Sequence, residues 1–489
     1  MLFNSFSFLI FFPVVFLVYY LLPNNWRPRF LLAVSCYFYM AFVPKYILVL
    51  FFLIVTDYAL ARIMEHHSGR KRTSLLVVSV AANIGTLFFF KYFNFFNENI
   101  AHLGHMLHWN YSPVFLSIAL PLGLSFHVFQ SLSYVIEVYK GKYKAEKNIL
   151  TYALYVMFFP QLVAGPIERP EHLLPQFKID HHFNSQNIRR GLERMLWGFF
   201  KKLVIADNIA VIVNNLYAHL PADGPSLILL VVLFSYQLYC DFSGYSDIAV
   251  GSALVLGYEI TENFNRPYSA ATVADFWRQW HISLSNWLRD YLYYPLALGW
   301  GKVSKIKLYG SLFLTFVLIG LWHGANWTFV ALGALHGAYL VVGSMTEKFR
   351  KRFAEYAGLS KVPKFHRMIQ VAITFSLVSF SWIFFRAADI TQAWAVISHL
   401  GNGLGNVVSI DFVLHKLFHG LDLGKTRPAI ILLSVICMEI VQYYQAKKNT
   451  RYIFDTASKT ARYGWYYVLT FAILWLGYLA TPGFIYFQF

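Results

Sequence analysis

Long apolar runs alternate with short polar loops along the whole chain. A helix that crosses a hydrocarbon core of about 30 Å needs about 20 mostly apolar residues. The pattern therefore predicts an all-α, polytopic membrane protein. The predicted spans are 5–22, 29–43, 46–61, 74–91, 113–136, 148–165, 226–257 (expected as two pieces), 308–345 (expected as a hairpin), 368–388, 428–444 and 464–481.

Basic residues cluster in the loops between these runs. The strongest clusters lie at 61–72, at 139–147, at 347–353 and around 447–451. Cytoplasmic loops of membrane proteins carry an excess of Lys and Arg, so all four clusters are expected in the cytoplasm. This arrangement predicts an N-terminus on the outer side, and it places the non-spanning stretch 259–307 in the cytoplasm.

The apolar segment 308–345 is too long for a single span. As one helix it would measure more than about 50 Å, and basic residues flank both of its ends, so both ends belong on the cytoplasmic side. The turn falls at "HGAN", where we expect Gly324 to adopt an unusual φ and Asn326 to satisfy freed backbone groups. The first arm would reach only about 22 Å. This length predicts a turn inside the membrane, with His323 at the floor of a water-filled cavity.

Residues 277–291 predict one amphipathic helix in the cytoplasmic stretch. At 100° per residue, the apolar side chains that follow Trp277 all lie within about 80° of it around the helix. A helix of this kind lies along the membrane interface. His281 falls about 40° from Trp277, at the edge of the apolar face. A capping or packing histidine is the alternative to a functional one at this position.

Several other polar residues stand in apolar surroundings. Asp241 and Asp247, with Ser243 between them, need hydroxyl, backbone or basic partners at this depth. A structural network and a proton or substrate path are both open for these carboxylates. His127 and His336 are predicted to be packing histidines.

Composition supports the membrane class and excludes nucleic-acid binding. The chain is 57% hydrophobic and 13% charged, whereas soluble domains average about 45–50% and about 25%. The net charge of +17 resides in the loops and forms no basic stripe. The first apolar run has no basic residue before it and no cleavage site after it, so a retained helix is expected. The three cysteines lack metal-like spacing, which predicts small buried hydrophobes and no metal site.

Five blocks of the sequence together resemble the membrane-bound O-acyltransferase (MBOAT) family. The likeness is to its bacterial branch, which O-acetylates alginate or peptidoglycan, with the D-alanyl transfer proteins of teichoic acid as more distant relatives. It runs from the first helix to the terminal "FIYFQF". The blocks are "LSFHVFQSLSYVIEVYKG", "PQLVAGPIERP", "YCDFSGYSDIAVG", "NFNRPYSAATVADFWRQWHISLSNWLRDYLYYPL" and "GLWHGANWTFVALGALHG".

The resemblance implies a fold and a domain plan. The expected fold is a ring of roughly 11–13 transmembrane helices, with re-entrant and interfacial helices around a thin central funnel. One MBOAT domain would cover 1–489, with N-terminal helices at 1–165, a catalytic core at 166–345 and C-terminal helices at 346–489.

The resemblance also implies which residues act. His323 matches the family's catalytic histidine, and His281 matches the second histidine of the bacterial branch. A neutral imidazole with a pKa of about 6.5 suits a general base at physiological pH. We assign His323 as the base towards the acceptor or as the acyl relay, and His281 as the group that orients or polarises the donor carbonyl. Supporting residues near the site are expected to be Asn326, Trp322, Trp280, Arg278, Asp275, Asp241, Asp247 and Ser243.

The implied activity is O-acetylation of a cell-surface polysaccharide, with an alginate-type exopolysaccharide favoured. The acetyl group would come from a cytoplasmic thioester, acetyl-CoA or another, and cross the bacterial inner membrane. No cofactor is expected to be tightly bound, and a separate periplasmic SGNH-type esterase-like protein is the expected partner. Peptidoglycan O-acetylation and teichoic acid D-alanylation are alternatives within the family. A proton-coupled transporter is the alternative outside it, and it predicts inverted repeats that the sequence does not show.

Overall fold

The computed structural model describes residues 1–109, 111–220, 223–299, 301–403, 426–452, 455, 457–478 and 483–485. Every regular element within these ranges is helical, which confirms the all-α prediction. The end of the predicted span 464–481 and residues 486–489 of the terminal block lie outside the described residues. The chain forms two compact units, one of residues 1–195 with 248–262 and the other of residues 196–247 with 263–489.

The described residues form the helices given below in chain order. Within the described residues, three π-helical segments each connect two consecutive α-helices directly, namely Phe88–Tyr92, Phe200–Ala206 and Arg289–Tyr293. The helices are α1 Phe6–Leu21, α2 Arg27–Met40, α3 Ile47–Glu65, α4 Gly69–Leu87, α5 Phe93–Met106, α6 Leu124–Tyr139, α7 Ile149–Met157, α8 Pro170–Leu173, α9 Ser185–Phe199, α10 Asp207–Ala218, α11 Gly224–Val255, α12 Val273–Gln279, α13 Ile282–Leu288, α14 Tyr294–Leu298, α15 Lys305–His323, α16 Trp327–Met345, α17 Glu347–Tyr356, α18 Pro363–Arg386, α19 Ile390–His399, α20 Thr426–Lys447 and α21 Lys459–Leu476.

Seven helices of the described part are long and apolar enough to cross a membrane. A shorter apolar helix, α1, precedes them. The chain is therefore a multi-pass membrane protein, as predicted. The seven helical stretches are Pro44–Glu65, Gly69–Met106, Gly224–Val255, Lys305–His323, Trp327–Met345, Pro363–Arg386 and Arg427–Lys447.

The prediction of two pieces for 226–257 was wrong, because α11 is one continuous helix of 32 residues. Its glycines make room for a neighbouring helix instead of breaking α11. A Cβ at Gly251 would lie 2.5 Å from the carbonyl oxygen of Gly191, and a Cβ at Gly244 would lie 2.9 Å from that of Gly198. Small residues of this kind let membrane helices approach closely.

Two other predicted spans are only partly helical. Residues 113–123 of the predicted span 113–136 are not helical, and α6 begins after Gly123, whose φ of +73° suits glycine. In the span 148–165, α7 ends at Met157 and the chain continues as buried, non-helical backbone to Arg169. Such backbone is tolerated at membrane depth when protein surrounds it. Here the hydroxyl of Tyr155 donates to the carbonyl of Glu168 at 2.7 Å.

The predicted hairpin of 308–345 is confirmed, with α15 and α16 as its arms. The arms pack closely, because a Cβ at Gly320 would lie 2.0 Å from the carbonyl oxygen of Phe329, and one at Gly333 would lie 2.3 Å from that of Phe316. The first arm is longer than predicted, since Ser304 caps a helix that begins at Lys305. Its 19 residues reach about 28 Å. The added first turn carries Lys305 and Lys307, so the apolar part from Leu308 onward keeps its predicted length, and the depth of the turn in the membrane stays a prediction.

Candidate active site

His323 is the last residue of α15, and its side chain is buried. Its ring centroid lies 5.0 Å from that of Trp322 and 5.7 Å from that of Phe385. The next residue, Gly324, has a φ of −158°, which any residue can adopt, so the predicted unusual φ was wrong. Glycine is needed there for space, because a Cβ would lie 2.1 Å from the ring of Phe329.

Asn326 fixes the turn that follows His323. Its Oδ1 accepts from the backbone N–H of Thr328 at 2.9 Å, which caps the start of α16. Its Nδ2 donates to the carbonyl of Ala388 at 2.8 Å, just beyond the end of α18. The prediction that Asn326 satisfies backbone groups at the turn is confirmed.

His281 interrupts the helix predicted over 277–291. α12 ends at Gln279 and α13 begins at Ile282, while His281 between them has a φ of +43° and a ψ of +56°. The prediction of one continuous helix was therefore wrong. A left-handed conformation is uncommon for a non-glycine residue and marks positions that the surrounding structure holds in place. The backbone of Asn263 does so here, because its carbonyl accepts from the N–H of Ile282 at 3.0 Å.

The side chain of Asn263 determines which ring nitrogen of His281 carries the proton. Its Oδ1 accepts from the hydroxyl of Ser283 at 2.8 Å and from the N–H of Ser283 at 3.3 Å. The same oxygen lies 3.2 Å from Nδ1 of the buried His281 ring. Because Oδ1 of Asn263 can only accept hydrogen bonds, Nδ1 of His281 must be the donor in this contact. A neutral His281 therefore carries its proton on Nδ1 and its lone pair on Nε2.

Trp322 contacts both histidines. Its ring centroid lies 6.3 Å from that of His281 and 5.0 Å from that of His323. Phe242 of α11 packs edge-on against His281 at 4.8 Å. The two histidines predicted to act thus share one aromatic neighbour, although 42 positions separate them in the chain.

Asp241, Ser243 and Asp247 belong to a buried ionic cluster on α11. Lys202 lies 2.8 Å from Asp241 and 2.8 Å from Asp207. Lys201 pairs with Asp247 and donates to the hydroxyl of Ser243 at 2.9 Å. The expectation that the carboxylates have hydroxyl and basic partners is confirmed.

The two lysines and Asp207 were missed by sequence reasoning. Their signal is the run "FFKKLVIAD", where adjacent lysines stand in an apolar setting. The lysines lie in the π-helical segment Phe200–Ala206, and π-helical turns are frequent at functional sites. Phe242, which lies between Asp241 and Ser243 in the chain, contacts the ring of His281, so this part of α11 is next to the histidine.

Comparisons with known proteins identify the family of the chain. The sequence model of the MBOAT, membrane-bound O-acyltransferase family matches residues 144–388, which include both histidines and the ionic cluster. The probable alginate O-acetylase of Pseudomonas aeruginosa is 38% identical over 403 residues, 81% of this chain and 74% of that protein. The chain belongs to the membrane-bound O-acyltransferase family. It is therefore an acyltransferase.

Two further MBOAT relatives have other acceptors in their names. The peptidoglycan O-acetyltransferase of Helicobacter pylori is 32% identical over 498 residues, 92% of this chain and 91% of that protein. The teichoic acid D-alanyltransferase of Bacillus subtilis is 28% identical over 277 residues, 54% of this chain and 68% of that protein.

The remaining predicted support residues of this MBOAT enzyme fall into two groups. Trp280, which directly precedes His281 in the chain, is buried, with its ring 5.1 Å from Phe264 and 5.2 Å from Trp382. Asp275 and Arg278 form an ion pair of 2.6 Å whose arginine side chain is 74% exposed. Asp275 also accepts from the hydroxyl of Thr272, the N-cap of α12, at 2.8 Å.

His336 is a packing histidine, as predicted. The indole N–H of Trp277 donates to its Nδ1 at 3.2 Å. Its Nε2 lies 2.8 Å from the hydroxyl of Ser381, which donates its own hydrogen to the carbonyl of Val378. Nε2 is therefore the donor to Ser381, and both ring nitrogens of this buried histidine are bonded within the protein.

Proposed function

We propose that this MBOAT enzyme takes an acetyl group from a cytoplasmic thioester, acetyl-CoA, and delivers it across the bacterial inner membrane. The final acceptor is a hydroxyl of a cell-surface polysaccharide of the alginate type. Support comes from the alginate O-acetylases, which are more similar to the chain than the D-alanyltransferase is. Peptidoglycan is the second candidate acceptor, supported by a relative that matches nine-tenths of the chain.

The contact of Trp322 with both His281 and His323 carries the proposal for the chemistry. Acyl transfer from a thioester forms a C–O bond to the acceptor and breaks the C–S bond of the donor. The donor sulfur leaves as a thiolate and is protonated to the thiol, while the acceptor hydroxyl loses a proton. His323 takes that proton as the general base, because a neutral imidazole is poised to do so near neutral pH.

The role proposed for His281 differs from the one expected from the family resemblance. With its proton on Nδ1 and held by Asn263, neutral His281 offers a lone pair at Nε2. It accepts a hydrogen bond from a hydroxyl or thiol, and it donates to a carbonyl only after it gains a second proton. We therefore assign it to orient a reacting hydroxyl or thiol beside Trp322.

A separate periplasmic protein of the SGNH type completes the transfer in this proposal. The sequence contains no GDS-type nucleophile block of its own, so the step onto the polymer is assigned to such a partner. The membrane protein then faces the cytoplasm with its basic loops and has its N-terminus in the periplasm, as the distribution of Lys and Arg indicates.

Mass spectrometry of cell-surface glycans from a deletion strain tests the proposed acceptor. The expected result is loss of O-acetyl groups from the exopolysaccharide, restored by the wild-type gene. Loss confined to peptidoglycan contradicts the alginate-type acceptor and supports the second candidate. Unchanged acetylation of both polymers contradicts the proposed function.

A further inference from the structure

Helix α17 has an exposed aromatic face. Phe349 is 71% exposed, Phe353 57% and Tyr356 92%. Their spacing of four and three residues places all three within about 60° around the helix. Ala354, on another side, is buried and marks the side that faces the protein. α17 therefore presents a broad aromatic surface outward.

Cations border this aromatic face on both edges. In helical projection, Lys348 and Arg352 lie along one edge and Arg350 along the other. The ion pair between Lys351 and Glu347, at 2.6 Å, lies on the opposite side of the helix. Aromatic residues flanked by cations are the pattern of helices that lie in the headgroup layer of a membrane.

The position of α17 brings this face to the membrane surface. α16 and α18 are both long and apolar enough to cross a membrane, and α17 lies in the connection between them. One residue, Thr346, separates the end of α16 from the start of α17. The helix thus begins where a span leaves the bilayer, at the depth where lipid phosphates and acyl chains meet.

We propose that α17 binds an anionic lipid surface. The aromatic side chains of Phe349, Phe353 and Tyr356 insert below the headgroups. Lys348 and Arg352 pair with the phosphates of lipids that carry a net negative charge. Anionic lipid attracts basic residues that lie within a Debye length of the bilayer. The helix anchors the connection between two spans, independently of which group the enzyme transfers.

The depth of α17 is tested in the full-length protein, reconstituted in vesicles of phosphatidylcholine mixed with phosphatidylglycerol. A nitroxide is attached at F353C, on the aromatic face, and at E355C as the matched control on the other side of the same helix. Wild-type protein treated with the same reagent gives the background from the native cysteines. Power-saturation EPR then compares collisions with oxygen, which concentrates in lipid, and with a nickel chelate, which stays in water.

The label at 353 is expected to collide more with oxygen, and the label at 355 more with the nickel chelate. If the label at 353 is as accessible to the nickel chelate as the label at 355, the proposal is overturned. That outcome would mean that water, or a soluble protein in the cell, covers the aromatic face.

The charge requirement is tested by the lipid selectivity of K348Q/R352Q. We expect the wild-type protein to bind spin-labelled phosphatidylglycerol more than spin-labelled phosphatidylcholine. This preference for phosphatidylglycerol should fall in the variant. The control E347Q/K351Q removes one cation and one anion from the opposite side of α17 and should keep the wild-type preference. An unchanged preference in K348Q/R352Q overturns the assignment to anionic lipid.

Discussion

Oδ1 of Asn263 lies 3.2 Å from Nδ1 of His281 and at the same time accepts from the hydroxyl of Ser283 at 2.8 Å. This oxygen fixes the tautomer of the histidine, while the backbone carbonyl of Asn263 holds the left-handed turn by accepting from the N–H of Ile282 at 3.0 Å. A residue outside the predicted site thus determines which nitrogen of His281 carries the proton.

Replacing Asn263 with Ala should lower kcat by at least about fivefold, because a hydrogen bond contributes about 1 kcal/mol to the chosen tautomer. Asn263→Asp keeps an acceptor at Nδ1 and should retain more activity than the alanine variant. Ser283→Ala is the matched control, since it removes a bond to the same oxygen without freeing His281. The pH–rate profile of each purified variant is the measurement, and equal profiles for N263A and S283A would contradict the positioning role.

Trp322→Phe should keep an aromatic ring beside both His281 and His323, whereas Trp322→Ala removes it. The alanine variant leaves a cavity at a buried position, which costs about 3–5 kcal/mol of stability for a large aromatic side chain. We expect thermal unfolding in detergent to show the larger shift for W322A, together with the larger loss of acyl transfer. Equal activities for the two variants would show that the aromatic contact does not matter.

Lys202→Met should destabilise the protein by about 3–5 kcal/mol, because it leaves Asp207 and Asp241 as buried carboxylates without their shared cation. Lys351→Gln removes a cation from an exposed ion pair and should change stability by less than about 0.5 kcal/mol. Thermal unfolding of both variants in the same detergent gives the comparison. A K202M protein as stable as K351Q would contradict the ionic cluster as a structural element.

Gly333→Ala should weaken the hairpin of α15 and α16. A Cβ at this position would lie 2.3 Å from the carbonyl oxygen of Phe316, whereas a Cβ at Gly343, on the same helix, meets nothing within 4 Å. Overpacking of this kind costs about 1–3 kcal/mol, so the unfolding temperature of G333A should fall while that of G343A stays the same or rises. Equal shifts for the two variants would mean that the arms do not pack through this glycine.

The hairpin and His323 could be predicted because loop charge and apolar length constrain the same segment. The break at His281 could not, since the apolar period continues from Trp277 to Tyr291 across it and the cause lies in Asn263, a distant part of the chain. The break expected within 226–257 is likewise absent, because α11 is one helix of 32 residues whose glycines admit a neighbouring helix. Lys201 and Lys202 were missed because the stretch 166–225 was treated as a connection between spans.

Arg278 shows how contacts refine a prediction from a motif. It was expected to support the site, but its side chain is 74% exposed and pairs with Asp275. It therefore serves as a control whose loss should leave the arrangement of His281, Trp322 and His323 in place.

The central claim is that His323 is the general base of acyl transfer. The most direct measurement is the O-acetyl content of the cell-surface polysaccharide in a deletion strain that carries His323→Ala, His323→Gln or Arg278→Ala, at equal protein levels in the membrane. Loss of a general base lowers rates by about 10²–10⁴-fold, so both His323 variants should match the deletion strain, while R278A should match the wild type. Wild-type acetylation in H323A would contradict the claim.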